Sequence, residues 1–139
     1  FSPSGILATG GGLADKTVRL WELSTGSCRH SLSVLGQVSA MVWSRSSREL
    51  VCAISQPTPT ITFLEETASS LNIIGSIPNA HSGRILQMAI SPDGSELVSM
   101  SGDETIRFWK CWDTHGSEKS RKQPIVLIPP TMPTRARTV

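Results

Sequence analysis

The sequence predicts an all-β fold assembled from a repeated unit of about four short strands. Three observations predict it. Thr17-Val18-Arg19-Leu20-Trp21, Thr60-Ile61-Thr62-Phe63-Leu64 and Thr105-Ile106-Arg107-Phe108-Trp109 align at intervals of 43 and 45 residues. A second mark lies upstream of each, at Phe1-Ser2-Pro3-Ser4-Gly5, Trp43-Ser44-Arg45-Ser46-Ser47 and Ile90-Ser91-Pro92-Asp93-Gly94, with intervals of 42 and 47. Within the aligned segments, apolar residues alternate with polar ones at the period of two that a half-buried strand requires, and a helical period fits none of them.

The elements follow in chain order. Ile6-Leu7-Ala8-Thr9 reads as a strand, and Gly10-Gly11-Gly12 as a roomy hairpin with positive-φ residues. A phosphate-cradling loop would need Gly-Lys-Ser/Thr opening a helix, and no helix pattern follows. Thr17 to Trp21 returns as the next strand. Gln37-Val38 leads to Trp43-Ser44, then Leu50-Val51-Cys52-Ala53 and Thr60 to Leu64 repeat the pair around Gln56-Pro57-Thr58-Pro59. Leu97-Val98-Ser99-Met100 and Thr105 to Trp109 repeat it again, with turn chemistry at Pro92-Asp93-Gly94 and Ser101-Gly102-Asp103. A period of roughly 40–45 residues with about four strands per unit is that of a WD-repeat propeller blade. The fold class is therefore a partial WD-repeat β-propeller of about three four-stranded blades.

His81, Ser99, Asp103 and Trp109 in the third unit occupy the positions where WD blades place a hydrogen-bonded structural quartet. A buried indole N–H needs an acceptor, and a hydroxyl–imidazole–carboxylate chain supplies one. The first unit keeps Thr9, Asp15 and Trp21. The middle unit has no Asp in its turn and carries Leu64 in place of Trp, so a weaker blade is expected. His81, Asp103 and Ser99 also match a hydrolase triad by residue type, but no nucleophile elbow or oxyanion motif accompanies them. No catalytic residue and no enzyme activity is assigned. Trp21, Trp109 and Phe108 are expected in the core.

Composition agrees with a folded body and an irregular tail. Apolar residues make up 38% and charged residues 17%, enough for a core but poor in the side chains of exposed helices. The net charge of +2 is too small to drive nucleic-acid binding. No apolar run approaches a membrane span, and no signal-peptide pattern opens the chain. Residues 1–109 carry a net −2, whereas 110–139 carry +4 and place Pro124, Pro129, Pro130 and Pro133 within ten residues. The expected organisation is blades over 1–112 and a basic, Pro-rich, mostly irregular tail over 113–139. Cys28, Cys52 and Cys111 are odd in number and lack metal spacing. With no metal site or cofactor implied, they are expected as buried free thiols. The chain starts at Phe1 rather than Met. Three blades cannot close a ring of roughly four to eight, so the carboxy-terminal part of a longer propeller is expected.

The repeats resemble one family more specifically. Leu7-Ala8-Thr9-Gly10-Gly11-Gly12 with Asp15 and Arg19-Leu20-Trp21 is one match. Ser91-Pro92-Asp93-Gly94 with Gly102 to Trp109 is another, and Gln37-Val38 before Trp43-Ser44 is a third. Over about residues 1–112 the chain resembles the last three blades of the Fizzy and Fizzy-related family, coactivators of the anaphase-promoting complex. It is similar to a divergent member rather than a close copy of either main branch, and a meiotic type is among those it fits.

The resemblance implies a non-catalytic substrate receptor, present in nucleus and cytoplasm, that presents degron-bearing proteins such as cyclins to the anaphase-promoting complex (the cyclosome). It implies no nucleic-acid or membrane partner. Glu104 matches the acidic position that receives the arginine of the destruction box, Arg-x-x-Leu. Arg84 and Gln37 match positions around the KEN-box site. Leu13 is a departure, since the family's usual residue after the three glycines is Thr. A meander reverses at every turn, so the loops holding Leu13, Gln37, Arg84 and Glu104 are expected on one rim. The family's Ile-Arg end is also replaced, by Thr134-Arg135-Ala136-Arg137-Thr138-Val139. The rival reading is a WD-repeat scaffold without a degron site. An Asp-Arg-Phe/Tyr-Ile-Pro docking box upstream of the propeller separates the two.

Overall fold

The computed structural model describes residues 5–44 and 47–112. The tail, the Phe1-Ser2-Pro3 mark and the run Ile125-Val126-Leu127-Ile128 lie outside the described residues. The described chain is ten antiparallel strands: β1 (Ile6–Gly10), β2 (Thr17–Glu22), β3 (Ser27–Ser33), β4 (Val38–Trp43), β5 (Glu49–Ile54), β6 (Thr60–Glu66), β7 (Leu71–Ile77), β8 (Ile85–Ile90), β9 (Glu96–Ser101) and β10 (Ile106–Lys110). They form three meander sheets, β1-β2-β3, β4-β5-β6-β7 and β8-β9-β10. Only the middle sheet has four strands among the described residues. Among those residues no strand precedes β1 in the first sheet and none follows β10 in the third.

Period-two patterning decides which sheet each side chain meets. In the middle sheet Val51 pairs with Phe63 and Ala53 with Ile61, and these four pack towards the third sheet with Leu97 and Trp109. The opposite face, Leu50, Cys52, Ile54 and Leu64, packs on Ile6, Val18 and Leu20 of the first sheet. Every residue of β5 is buried as a result. This is the pattern of a strand covered on both faces. The middle unit, the poorest match by sequence, is thus the most complete sheet. Its neighbours on both sides supply the packing that its missing Asp and Trp do not.

The two outer faces are less covered. Trp21 repeats the position of Leu64 and Trp109, but no described sheet lies against its outer face, and it is only half-buried. Ile106 and Phe108 repeat Val18 and Leu20, but no described sheet follows β10, and both are exposed. The expectation that Trp21, Trp109 and Phe108 all lie in the core therefore holds for Trp109 alone. The cysteines divide similarly. Cys52 is buried, Cys111 intermediate and Cys28 exposed, and all three are free. Burial pushes the Cys52 thiol up to about 12.

The three consecutive glycines also serve a different purpose from the one expected. None of them has a positive φ; in that hairpin the left-handed residue is Lys16, at 49°. A Cβ on Gly10 would fall 2.5 Å from Val38 Cγ1, and one on Gly11 would fall 2.6 Å from the Asp15 carboxylate. Close approach, not turn conformation, favours glycine at positions 10 and 11, while a Cβ on Gly12 would meet nothing.

Candidate functional site: the quartet and the loop rim

The third sheet carries a buried polar chain. Trp109 Nε1 donates to Ser99 Oγ at 2.9 Å, Ser99 Oγ lies 2.7 Å from His81 Nε2, and His81 Nδ1 lies 3.1 Å from Asp103 Oδ2. The network fixes the tautomer. A carboxylate only accepts, so the imidazole carries its proton on Nδ1, and Nε2 accepts from the Ser99 hydroxyl. Burial lowers the His81 pKa below its ordinary value, against the opposing effect of its hydrogen bond to the Asp103 carboxylate. Burial alone would raise the Asp103 pKa. Hydrogen bonds from the Thr105 hydroxyl, the Ser82 and Thr105 N–H groups and His81 outweigh it and hold that carboxylate well below the usual range.

This arrangement builds a blade, not a reaction centre. Ser99 has 0% exposure, and its oxygen already accepts from the Trp109 indole. A hydroxyl without access to solvent has no route to a substrate. In the first sheet the equivalent Trp21 donates to Thr9 at 2.8 Å. Asp15 there takes a two-pronged contact from Arg19, at 2.7 and 2.9 Å, instead of a histidine. Among the described residues no group of His, Cys, Asp and Glu side chains is disposed to hold a metal ion.

The loops at one end of the sheets are joined in series. Val38 N–H bonds to Gly11 C=O at 3.1 Å, tying the β3–β4 loop to the β1–β2 turn. Ser55 N–H bonds to Gln37 C=O at 2.9 Å, bringing in the β5–β6 turn. Ala80 N–H bonds to Pro59 C=O at 2.8 Å, and Gly102 N–H to Arg84 C=O at 2.9 Å, adding the β7–β8 loop and the β9–β10 turn. The loops that hold Leu13, Gln37, Arg84 and Glu104 therefore adjoin one another along a single rim.

Two glycines set the register of that rim. A Cβ on Gly36 would collide with the Gln56 backbone, and one on Gly83 would lie 2.7 Å from the Asp103 nitrogen. Each glycine precedes its rim residue by one, so Gln37 and Arg84 hold the same place on adjacent sheets. Arg84, Glu104 and Leu13 are exposed and Gln37 is half-buried. Among the described residues the side chains of Arg84 and Glu104 enter no ion pair. Both charges are available to an outside group.

Three features escape a reading of the sequence alone. Lys16 and Glu104 are the residues between the turn Asp and the next strand's Thr, and both adopt positive φ, at 49° and 62°. They are equivalent positions of opposite charge, and the alignment of Thr17 with Thr105 is the signal that could have shown it. Trp112 Nε1 donates to Glu49 Oε2 at 2.6 Å, with its ring edge-on to Phe63, and anchors the end of the described chain on the middle sheet. On the outer edge Arg29 Nε lies 3.0 Å from Glu66 Oε1, linking β3 to the middle sheet. No local pattern marks either contact.

Comparison with known proteins places these features. A family profile, "WD domain, G-beta repeat", matches residues 72–110. The chain is 39% identical over 126 residues to "Anaphase-promoting complex subunit cdc20" of Dictyostelium discoideum, covering 89% of this chain and 23% of the relative. It is 36% identical over 124 residues to "APC/C activator protein CDH1" of Saccharomyces cerevisiae, covering 89% and 21%. "WD repeat-containing protein srw1" of Schizosaccharomyces pombe is 34% identical over 135 residues, covering 94% and 22%. The chain thus spans about a fifth to a quarter of the length of these relatives. A solved structure, "Crystal Structure of Mitotic Checkpoint Complex", contains a chain that superposes with a TM-score of 0.77 at 33% identity, over 81% of this chain and 35% of that one.

Proposed function

We propose, on the premise that this chain is part of a WD-repeat propeller similar to the Cdc20 and Cdh1 activators, that the whole protein is a substrate-recognition coactivator of the anaphase-promoting complex. In this reading it performs no catalysis. It holds degrons of partner proteins such as cyclins on the loop rim and presents them to the ligase, in nucleus and cytoplasm. The observation that carries the reading is the rim itself, where Gln37, Arg84 and Glu104 lie on adjoining loops of a chain similar to those activators along most of its length.

The chemistry of each residue suits the role. Glu104 offers a carboxylate to the arginine of an Arg-x-x-Leu degron, a pairing that takes two parallel hydrogen bonds. Arg84 offers a guanidinium to an acidic degron residue, and Gln37 offers an amide to a polar one. Shielded from water, a charged hydrogen bond contributes about 1.5–3 kcal/mol; fully wet, it contributes under about 1 kcal/mol. The test is the affinity of an Arg-x-x-Leu peptide for the full-length protein and for Glu104→Ala. A loss of about tenfold is expected, and equal affinities would remove Glu104 from the site.

A further inference from the structure

The rim also carries two exposed leucines that the quartet and the charged residues do not explain. Leu13 is 53% exposed and Leu35 is 80% exposed. They belong to facing segments closed by two hydrogen bonds, Val38 N–H to Gly11 C=O at 3.1 Å and Val34 N–H to Lys16 C=O at 2.8 Å. Leu13 lies in the turn between Gly11 and Lys16, and Leu35 in the loop between Val34 and Val38. The same two bonds bracket both residues. Phe108 and Ile106 are exposed because a sheet face is uncovered. Leu13 and Leu35 stand on loops rather than on a sheet face.

Charge around the pair is one-sided. The Asp15 carboxylate is occupied by Arg19 at 2.7 and 2.9 Å and by the Thr17 hydroxyl at 3.0 Å. Lys16 is exposed and, among the described residues, has no ion-pair partner. The turn thus presents one unbalanced cation next to apolar surface, with the half-buried Gln37 on the far side of Leu35.

We propose that this part of the rim takes a bulky apolar side chain of a linear peptide, with an acidic residue set against Lys16. The inference rests on the reading of the rim as a peptide-binding surface and names the peptide chemistry that one sector of it prefers. Where a threonine after the three glycines would offer a hydroxyl, Leu13 with Leu35 offers only desolvation of an aliphatic group. Burying such a side chain favours binding in proportion to its area, while a polar side chain there would lose hydration without a partner.

The test uses the full-length protein and fluorescence anisotropy with three short labelled peptides identical except at a two-residue core of Leu-Asp, Asn-Asp or Leu-Asn. The Leu-Asp peptide is expected to bind about tenfold tighter than Asn-Asp. Leu13→Thr combined with Leu35→Ser is expected to erase that preference, and Lys16→Glu to erase the preference for Leu-Asp over Leu-Asn. Equal binding of the Leu-Asp and Asn-Asp peptides overturns the inference, as does a preference that persists in the double variant. If an Arg-x-x-Leu peptide still binds through Glu104 in that case, only this inference falls. If no peptide binds, the parent reading falls with it.

Discussion

Leu20 and Phe108 hold the same place in the first and third copies of the repeat, yet Leu20 has 0% of its surface exposed and Phe108 has 53%. The difference lies in what stands beside each strand. Leu20 on β2 faces Leu50, Cys52 and Leu64 of the middle sheet, whereas Phe108 on β10 faces no described sheet. A side chain's energetic weight here depends on its neighbour more than on its identity.

The first prediction follows from that pair. In the 139-residue chain, Leu20→Ala is expected to cost about 2–5 kcal/mol, and Phe108→Ala under about 1 kcal/mol. Denaturant titrations of both variants check this, and similar losses would contradict the packing described.

A second prediction concerns pH. The folded pKa of His81 lies below its ordinary 6.5, so the unfolded chain binds the extra proton more readily and stability falls as pH drops through that value. Asp103 is depressed from 3.8, so its contribution is present above that value and is lost as pH falls further. Thermal melts from pH 8 to pH 3 should show two declining stages, and His81→Gln should remove the upper one. A profile flat between pH 7 and pH 5 in the parent chain would count against a neutral buried His81.

The hydrogen-bonded quartet gives a third. Ser99→Ala leaves the Trp109 indole N–H and His81 Nε2 without their partner, at about 1–3 kcal/mol for each orphaned group. Trp109→Phe removes one of those bonds from the other side. In a double-mutant cycle the two losses should add to clearly more than the double variant shows, because both variants break the same bond.

The fourth tests the rim's register. Gly36→Ala and Gly83→Ala each push a methyl into the backbone of the next turn, near Gln56 and Asp103 respectively. Each is expected to cost about 1–3 kcal/mol. Gly12→Ala meets open space and a non-left-handed φ, and should cost much less. Equal effects at all three positions would show that close approach is not what demands glycine at 36 and 83.

The strands were legible because their signal is local. Alternation of Val18 and Leu20, Ile61 and Phe63, and Ile106 and Phe108 fixes one side of each strand as apolar whatever surrounds it. The hydrogen-bonded chain of Trp109, Ser99, Asp103 and His81 was legible through the match to a WD blade, and the need of a buried indole for an acceptor agrees with it. The bulges were not legible. Register shifts recur between Val38 and Ala40 and between Ile85 and Gln87, at the same place in two repeats, without a shared residue type to announce them.

By itself, then, the sequence determined the repeat and the strands, which follow from periodicity over short distances, and the match to a WD blade added the partners of the buried indole. Tertiary structure alone decided which apolar faces are covered, that Gly36 and Gly83 are held to glycine by a neighbouring turn, and that Trp112 reaches Glu49 across two sheets. It also brought Leu13 and Leu35 into one bracketed pair. These depend on how separate sheets stack, and stacking joins residues far apart in the chain, for which alternation along a single strand carries no information.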